Sequence, residues 1–150
     1  MPQVETRMRA GAVVIAWAFA LGAGDAQSQP CSTPLPSDVI VATPSATDGP
    51  QAFLGVWGDG QWQGVLCHTL VVETLSDDNS VVAVYSHGAY PGWNIRAPGF
   101  VRVPGQVRDD TLHIAFPNGS ARVEYRIVDG KLQGRYITRS NVATAVLTRK

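Results

Sequence analysis

The chain has no excess of either charge. Its 12 Lys plus Arg stand against 12 Asp plus Glu, and no block of like charge occurs anywhere. Nucleic acid and anionic membrane surfaces are bound through accumulated Lys and Arg, so this balance argues against both as partners. Histidine is scarce, with only His68, His87 and His113, and no H-x-H or H-x-x-x-H spacing brings two of them into a metal-ligand pattern. There is no G-x-S-x-G elbow for a serine nucleophile. No Gly-rich stretch has phosphate-loop spacing, since Gly55, Gly58, Gly60 and Gly64 fall in strand and turn context. Beyond Gln51 the chain also lacks a 3.6-residue apolar period, which removes amphipathic helices from the expected fold.

Long apolar runs are missing too. The longest, Ala10 to Leu21, falls short of the roughly 20 residues needed to cross a bilayer. It follows Arg7 and Arg9 and precedes small residues, the three-part order of a secretory signal. Cleavage after Ala26, with Gly24 at the preceding small position, predicts a secreted or periplasmic protein with no stable membrane insertion after cleavage. Cysteine is limited to Cys31 and Cys67, both of which survive that cut. An even pair in an exported chain points to one disulfide tying the arm to the first long strand. Spacing alone leaves two free thiols open, and a lipidated Cys31 lacks the apolar and small residues expected before it.

What is present divides into three stretches: a signal peptide at 1–26, a Pro-rich arm or linker at 27–50 and a β domain at 51–150. The arm carries Pro30, Pro34, Pro36, Pro44 and Pro50 among polar residues and buries little by itself; Val39 to Val41 is its one candidate for a short edge strand. In the β domain, alternating apolar residues are punctuated by Asp78-Asn79, Asp109-Asp110, Asn118-Gly119, Asp129-Gly130 and Ser140-Asn141. That rhythm predicts an all-β antiparallel up-and-down meander of about eight short strands, as a barrel or strongly curved sandwich.

A two-residue turn fixes register and therefore which side chains share a face. Closing at Asp129-Gly130 pairs Ile127 with Leu132, Tyr125 with Gly134 and Val123 with Tyr136. Closing at Asn118-Gly119 sets Ile114 against Val123 and Leu112 against Tyr125, with His113 outside opposite Glu124. Closing at Asp109-Asp110 adds Val107 against Leu112, Gly105 against Ile114 and Val103 against Phe116. Closing at Ser140-Asn141 puts Ala143, Ala145 and Leu147 on the same inner face, beside Thr138 and Tyr136. The Gly and Ala positions fit either a tapering core or room for a ligand. Between Leu66 and His87 both faces are apolar; a two-residue turn at Asp78-Asn79 keeps Glu73 outside and gathers His68, Leu70, Val72, Val81, Ala83, Tyr85 and His87.

The stretch FLGVWGDGQW, Phe53 to Trp62, opens the meander. Its Gly55-Val56-Trp57 resembles the first motif of the lipocalins and their calycin relatives, and the domain is similar to small lipocalin-like bacterial β-barrels. The resemblance implies a barrel whose mouth holds a small apolar molecule, with Gly55 and Trp57 at the closed end and Arg149 stacking on Trp57 across the seam. Trp62 is expected to begin a separate strand after the Gly58-Asp59-Gly60 break.

Aromatic residues are the best clue to function. Trp and Tyr join apolar area to a polar handle, which suits ligand recognition. The candidate ligand-binding set is Tyr85, Tyr125, Tyr136, His68 and His87 in the interior, with Tyr90, Trp93, Asn94 and Arg96 on a long loop between His87 and Phe100. This supports a binding module for a small, largely apolar or sugar-like ligand, with no cofactor or metal called for. A solid-cored interaction domain docking on another envelope protein is the alternative. Third is a hydrolase or isomerase using His68 and His87; Ser86 is no partner for His87, because neighbours on a strand face opposite ways. The carboxylates sit largely at turns, and nothing in the spacing brings Asp59 to Glu73 as glycosidase chemistry wants.

Overall fold

The computed structural model describes residues 31–150. The expected signal peptide and cleavage site lie outside the described residues. The rest is a closed barrel of eight antiparallel strands in meander order, so the sandwich alternative falls away. The strands are β1 (Gly55–Trp62), β2 (Leu66–Leu75), β3 (Ser80–His87), β4 (Gly99–Arg108), β5 (Thr111–Ala115), β6 (Arg122–Val128), β7 (Lys131–Ile137) and β8 (Val142–Arg149), with 3₁₀ turns at Pro50–Phe53 and Pro91–Trp93. Closure joins β8 to β1 through Trp57 opposite Arg149 and Gly58 opposite Thr148.

The turn chemistry sets most of the register. Asp109 (φ 50°) with Asp110 (φ 56°), and Asp129 (φ 51°) with Gly130 (φ 73°), adopt the left-handed backbone of two-residue hairpins. Their strands pair Gly105 with Ile114, Val107 with Leu112, Tyr125 with Gly134 and Val123 with Tyr136. Ile114 meets Val123 and Leu112 meets Tyr125 as the Asn118-Gly119 turn requires, with His113 outside opposite Glu124. The pairing of Val103 with Phe116 does not form: the ladder stops at Gly105, and Phe116 leaves the strand to bond Ala121.

Two hairpins close differently from the sequence expectation, and neither changes the inward set. In β7–β8, Tyr136 faces Ala143 and Thr138 closes on Asn141, so the turn is centred on Arg139-Ser140 and the pairing slides by two residues. An even slide preserves which face each side chain occupies. In β2–β3, Ser76 closes on Ser80, making the loop one residue longer than a Asp78-Asn79 turn. That alone would swap the faces, but a bulge at Glu73, between Val72 and Thr74, swaps them back. His68, Leu70, Val72, Val81, Ala83 and Tyr85 therefore all point inward and are buried.

The apolar outer face of β2 and β3 is explained by the arm, which folds back over it. Val71, Val84 and Ser86 point outward yet are fully buried. Cys31 is disulfide-bonded to Cys67 with Cα atoms 5.3 Å apart, Ser86 Oγ donates to the Pro34 carbonyl, and the Ile40 amide donates to Glu73 Oε1 at 2.9 Å. Arg102 bridges Glu73 (2.8 Å) and Asp38 (3.0 Å), and this pairing holds the Glu73 carboxyl below its usual value. Each valine so covered contributes about 1.5–3 kcal/mol relative to exposure. Val39 to Val41 lies in this arm without joining the sheet as a strand.

Candidate functional site

The two ends of the barrel differ. At one end, the 3₁₀ turn Pro50–Phe53 crosses under the strands and Trp57 seals the interior. Trp57 is fully buried, and its indole N–H donates to the Phe53 carbonyl at 2.9 Å. The Arg149 guanidinium lies 4.0 Å over the ring and donates to the carbonyls of Leu54 (2.8 Å) and Ala52 (2.5 Å). Gly55 has φ 105°, and a Cβ there would stand 3.0 Å from the Ala42 carbonyl of the arm, so the strand start requires glycine. This end is a plug with its polar groups paired.

The other end holds a cavity of about 760 Å³, within the usual range for small-molecule sites. Trp62, Leu66, Tyr85, Phe116, Tyr136 and Ala143 form its floor and walls, while Trp93 and Ile95 reach over it from the 88–98 loop. Gln63, Thr138 and Asn141 bring polar side chains to it. Among the described residues no Asp, Glu, Lys or Arg lines it.

Trp62 is the residue that sequence reasoning misplaced. It ends β1 rather than starting a new strand. Trp57 and Trp62 stand an odd number of positions apart, so in a regular strand they would face opposite ways. The ladder slips between Trp57 and Gly60, Asp59 adopts φ 57°, and the extra residue turns both tryptophans inward. Gly-Asp-Gly inside an apolar strand was the available signal. The space left by Gly134 is taken by Trp62, whose Cη2 would stand 2.8 Å from a Cβ there, so this small residue admits core side chains instead of a ligand.

Beneath Trp62 sits His68, stacked at 5.0 Å. His68 Nδ1–H donates to the Ser86 carbonyl (2.8 Å), which leaves Nε2 to accept from the Tyr125 hydroxyl (2.7 Å). Burial, the dominant cause, pushes the His68 pKa down to about 3. Both nitrogens are occupied and the ring is neutral, so it offers no general base. Burial likewise raises the Tyr125 phenol, with Tyr85 and Tyr136 adding to the effect. His68 and Tyr125 are thus the foundation of the floor, fully buried and not in its lining.

Of the other candidates, Tyr85, His87, Trp93 and Tyr136 line the cavity. His87 Nδ1 bonds the Gly88 carbonyl at 2.7 Å, so the two histidines, though paired across β2 and β3, do not bond each other. Tyr90 braces the loop instead: it bridges to Ile95 and packs edge-on against Trp93 at 5.5 Å. Asn94, at φ 59°, closes the 3₁₀ turn, and Arg96 is exposed; neither lines the cavity. Leu66 and Phe116 at strand ends and Ile95 in the loop were not foreseen, since single apolar residues in such places carry no signature. Among the described residues no three His, Cys, Asp or Glu side chains gather as a metal site would need.

No family model matches the chain, and no curated protein or solved structure matches it.

Proposed function

We propose that this domain is a lipocalin-like binding module that holds a small, largely apolar molecule in the cavity at its open end, and that it works in a secreted or periplasmic setting. The observation carrying this reading is the contrast in one strand between Trp57, whose N–H is paired, and Trp62, which is buried beside a cavity with its N–H free. The aromatic, uncharged lining favours an apolar body over a polyhydroxylated one. A sugar ring would find Trp93 to stack on, but the walls are largely aromatic and aliphatic. The Cys31–Cys67 disulfide suits an oxidising compartment. The docking-domain alternative calls for a filled interior together with an exposed apolar patch or an unpaired sheet edge; apolar side chains such as Val82, Phe100 and Val101 are exposed, but the cavity and the closed ladder weigh against it.

Tryptophan fluorescence titrated with alkyl and acyl compounds and with monosaccharides tests this. Saturable quenching by apolar compounds, weakened at least several-fold in Trp93→Ala, is expected. No saturable response to any member of the panel would sink the reading.

A further inference from the structure

We propose that the ligand is uncharged and enters with a hydrogen-bond acceptor, such as a ketone or ester carbonyl, leading, and that this acceptor takes the N–H of Trp62. This rests on the binding-module reading and narrows it to a chemical class.

Trp62 is 1% exposed, and its Nε1 has no hydrogen-bond partner among the described residues. Indole nitrogen is a donor only, and a buried donor without a partner is costly enough that native interiors rarely keep one. The indole is fixed on both sides, with His68 stacked against it at 5.0 Å and Gly134 receiving its far edge. It cannot turn to find a partner, so the partner must come to it.

Its neighbours ask for the same chemistry. Neither the Tyr85 nor the Tyr136 hydroxyl forms a hydrogen bond to a described residue, and both side chains line the cavity. Burial and Tyr136 raise the Tyr85 pKa, and the Trp62 indole N–H, directed toward the Tyr85 hydroxyl, works against that rise, although the pair falls short of hydrogen-bond geometry. Both phenols are held above their ordinary value by burial, so they stay protonated and neutral. The hydroxyl of Tyr125 is already committed to His68. The wall therefore presents two phenolic O–H groups beside one N–H; among the described residues its lining holds no Asp, Glu, Lys or Arg to answer a charged head group, and its imidazole, His87, is engaged through Nδ1 by the Gly88 carbonyl. A charged head group would lose its water without a counter-charge.

Four nine-carbon probes separate the possibilities: nonane, nonan-2-one, nonanoate and nonylamine, titrated at neutral pH against tryptophan fluorescence. Nonan-2-one should bind about three- to tenfold more tightly than nonane, the value of one neutral hydrogen bond, and at least about tenfold more tightly than either charged probe. Trp62→Phe should erase the advantage of the ketone over nonane. In ¹⁵N-labelled wild-type protein the Trp62 indole N–H resonance should move downfield with nonan-2-one and not with nonane, a readout that does not depend on the variant folding. Tightest binding by nonanoate or nonylamine, or an unmoved indole resonance with bound ketone, overturns the inference while leaving the binding module standing. Failure of all four to bind overturns both.

Discussion

Trp57 and Trp62 belong to one strand, face one interior and are equally buried, yet they serve opposite ends. Trp57 donates to Phe53 and is capped by Arg149, so every polar group it brings inside is answered by the chain. Trp62 rests on an answered pair, His68 and Tyr125, but its own N–H is left over. A plug is built by completing its bonds locally; a receptive floor keeps one unfinished on a rigid base. The difference teaches that burial alone does not separate core from site: these two tryptophans differ in pairing and in whether a cavity adjoins them.

The largest expected effect attacks the base of the floor. The folded pKa of His68, about 3, lies below its unfolded value of about 6.5, so the unfolded chain takes the proton more readily. Stability should be full above about pH 6.5 and fall as pH drops towards 3. Between pH 6.5 and 4.5 the loss should reach about 2.3 kcal/mol, before the Glu73 pairing weakens at lower pH. Urea unfolding at a series of pH values measures it; a flat profile across that window would break the claim that His68 is buried neutral.

Next comes the same substitution at both tryptophans. Trp57→Phe loses a made hydrogen bond and part of the Arg149 contact and opens a void, which should cost about 2–3 kcal/mol. Trp62→Phe has no hydrogen bond to lose and enlarges a cavity that already exists, so about 1 kcal/mol is expected. Equal losses by thermal or urea unfolding would erase the distinction between plug and floor.

The smallest effect tests whether the arm belongs to either end. Ser86 holds His68 with its carbonyl inside and Pro34 with its hydroxyl outside. Ser86→Ala should cost about 1 kcal/mol, appearing as roughly fivefold faster hydrogen exchange at the Ile40 amide, with tryptophan fluorescence unchanged. A change in fluorescence would mean that the arm and the floor are coupled.

Much of the barrel was legible because its information is local. Positive φ at Asp109, Asp110, Asp129 and Gly130 is dictated by a few adjacent residues, and each turn then propagates its register along two strands. The Trp57–Arg149 stack was legible only through resemblance, since nothing local joins residues so far apart. Three of the five interior candidates, Tyr85, Tyr136 and His87, line the cavity, and the inward direction of Tyr85 and Tyr136 follows from alternation. The bulge at Asp59 and the second bulge at Glu73 were not read, and each reverses the alternation beyond it. The first hid Trp62 from the site; the second was masked by a loop one residue longer than expected.

By itself the sequence determined that this chain is an antiparallel meander with one apolar interior, because alternation and turn chemistry act over a few residues and admit few alternatives. Tertiary structure decided the rest. It alone put the arm over Val71 and Val84, fitted Trp62 into the space of Gly134, took both nitrogens of His68 out of chemistry, and left one indole N–H unpaired beside a cavity. Those outcomes depend on which distant groups meet and which do not, and a missing partner is visible only when every neighbour is in place.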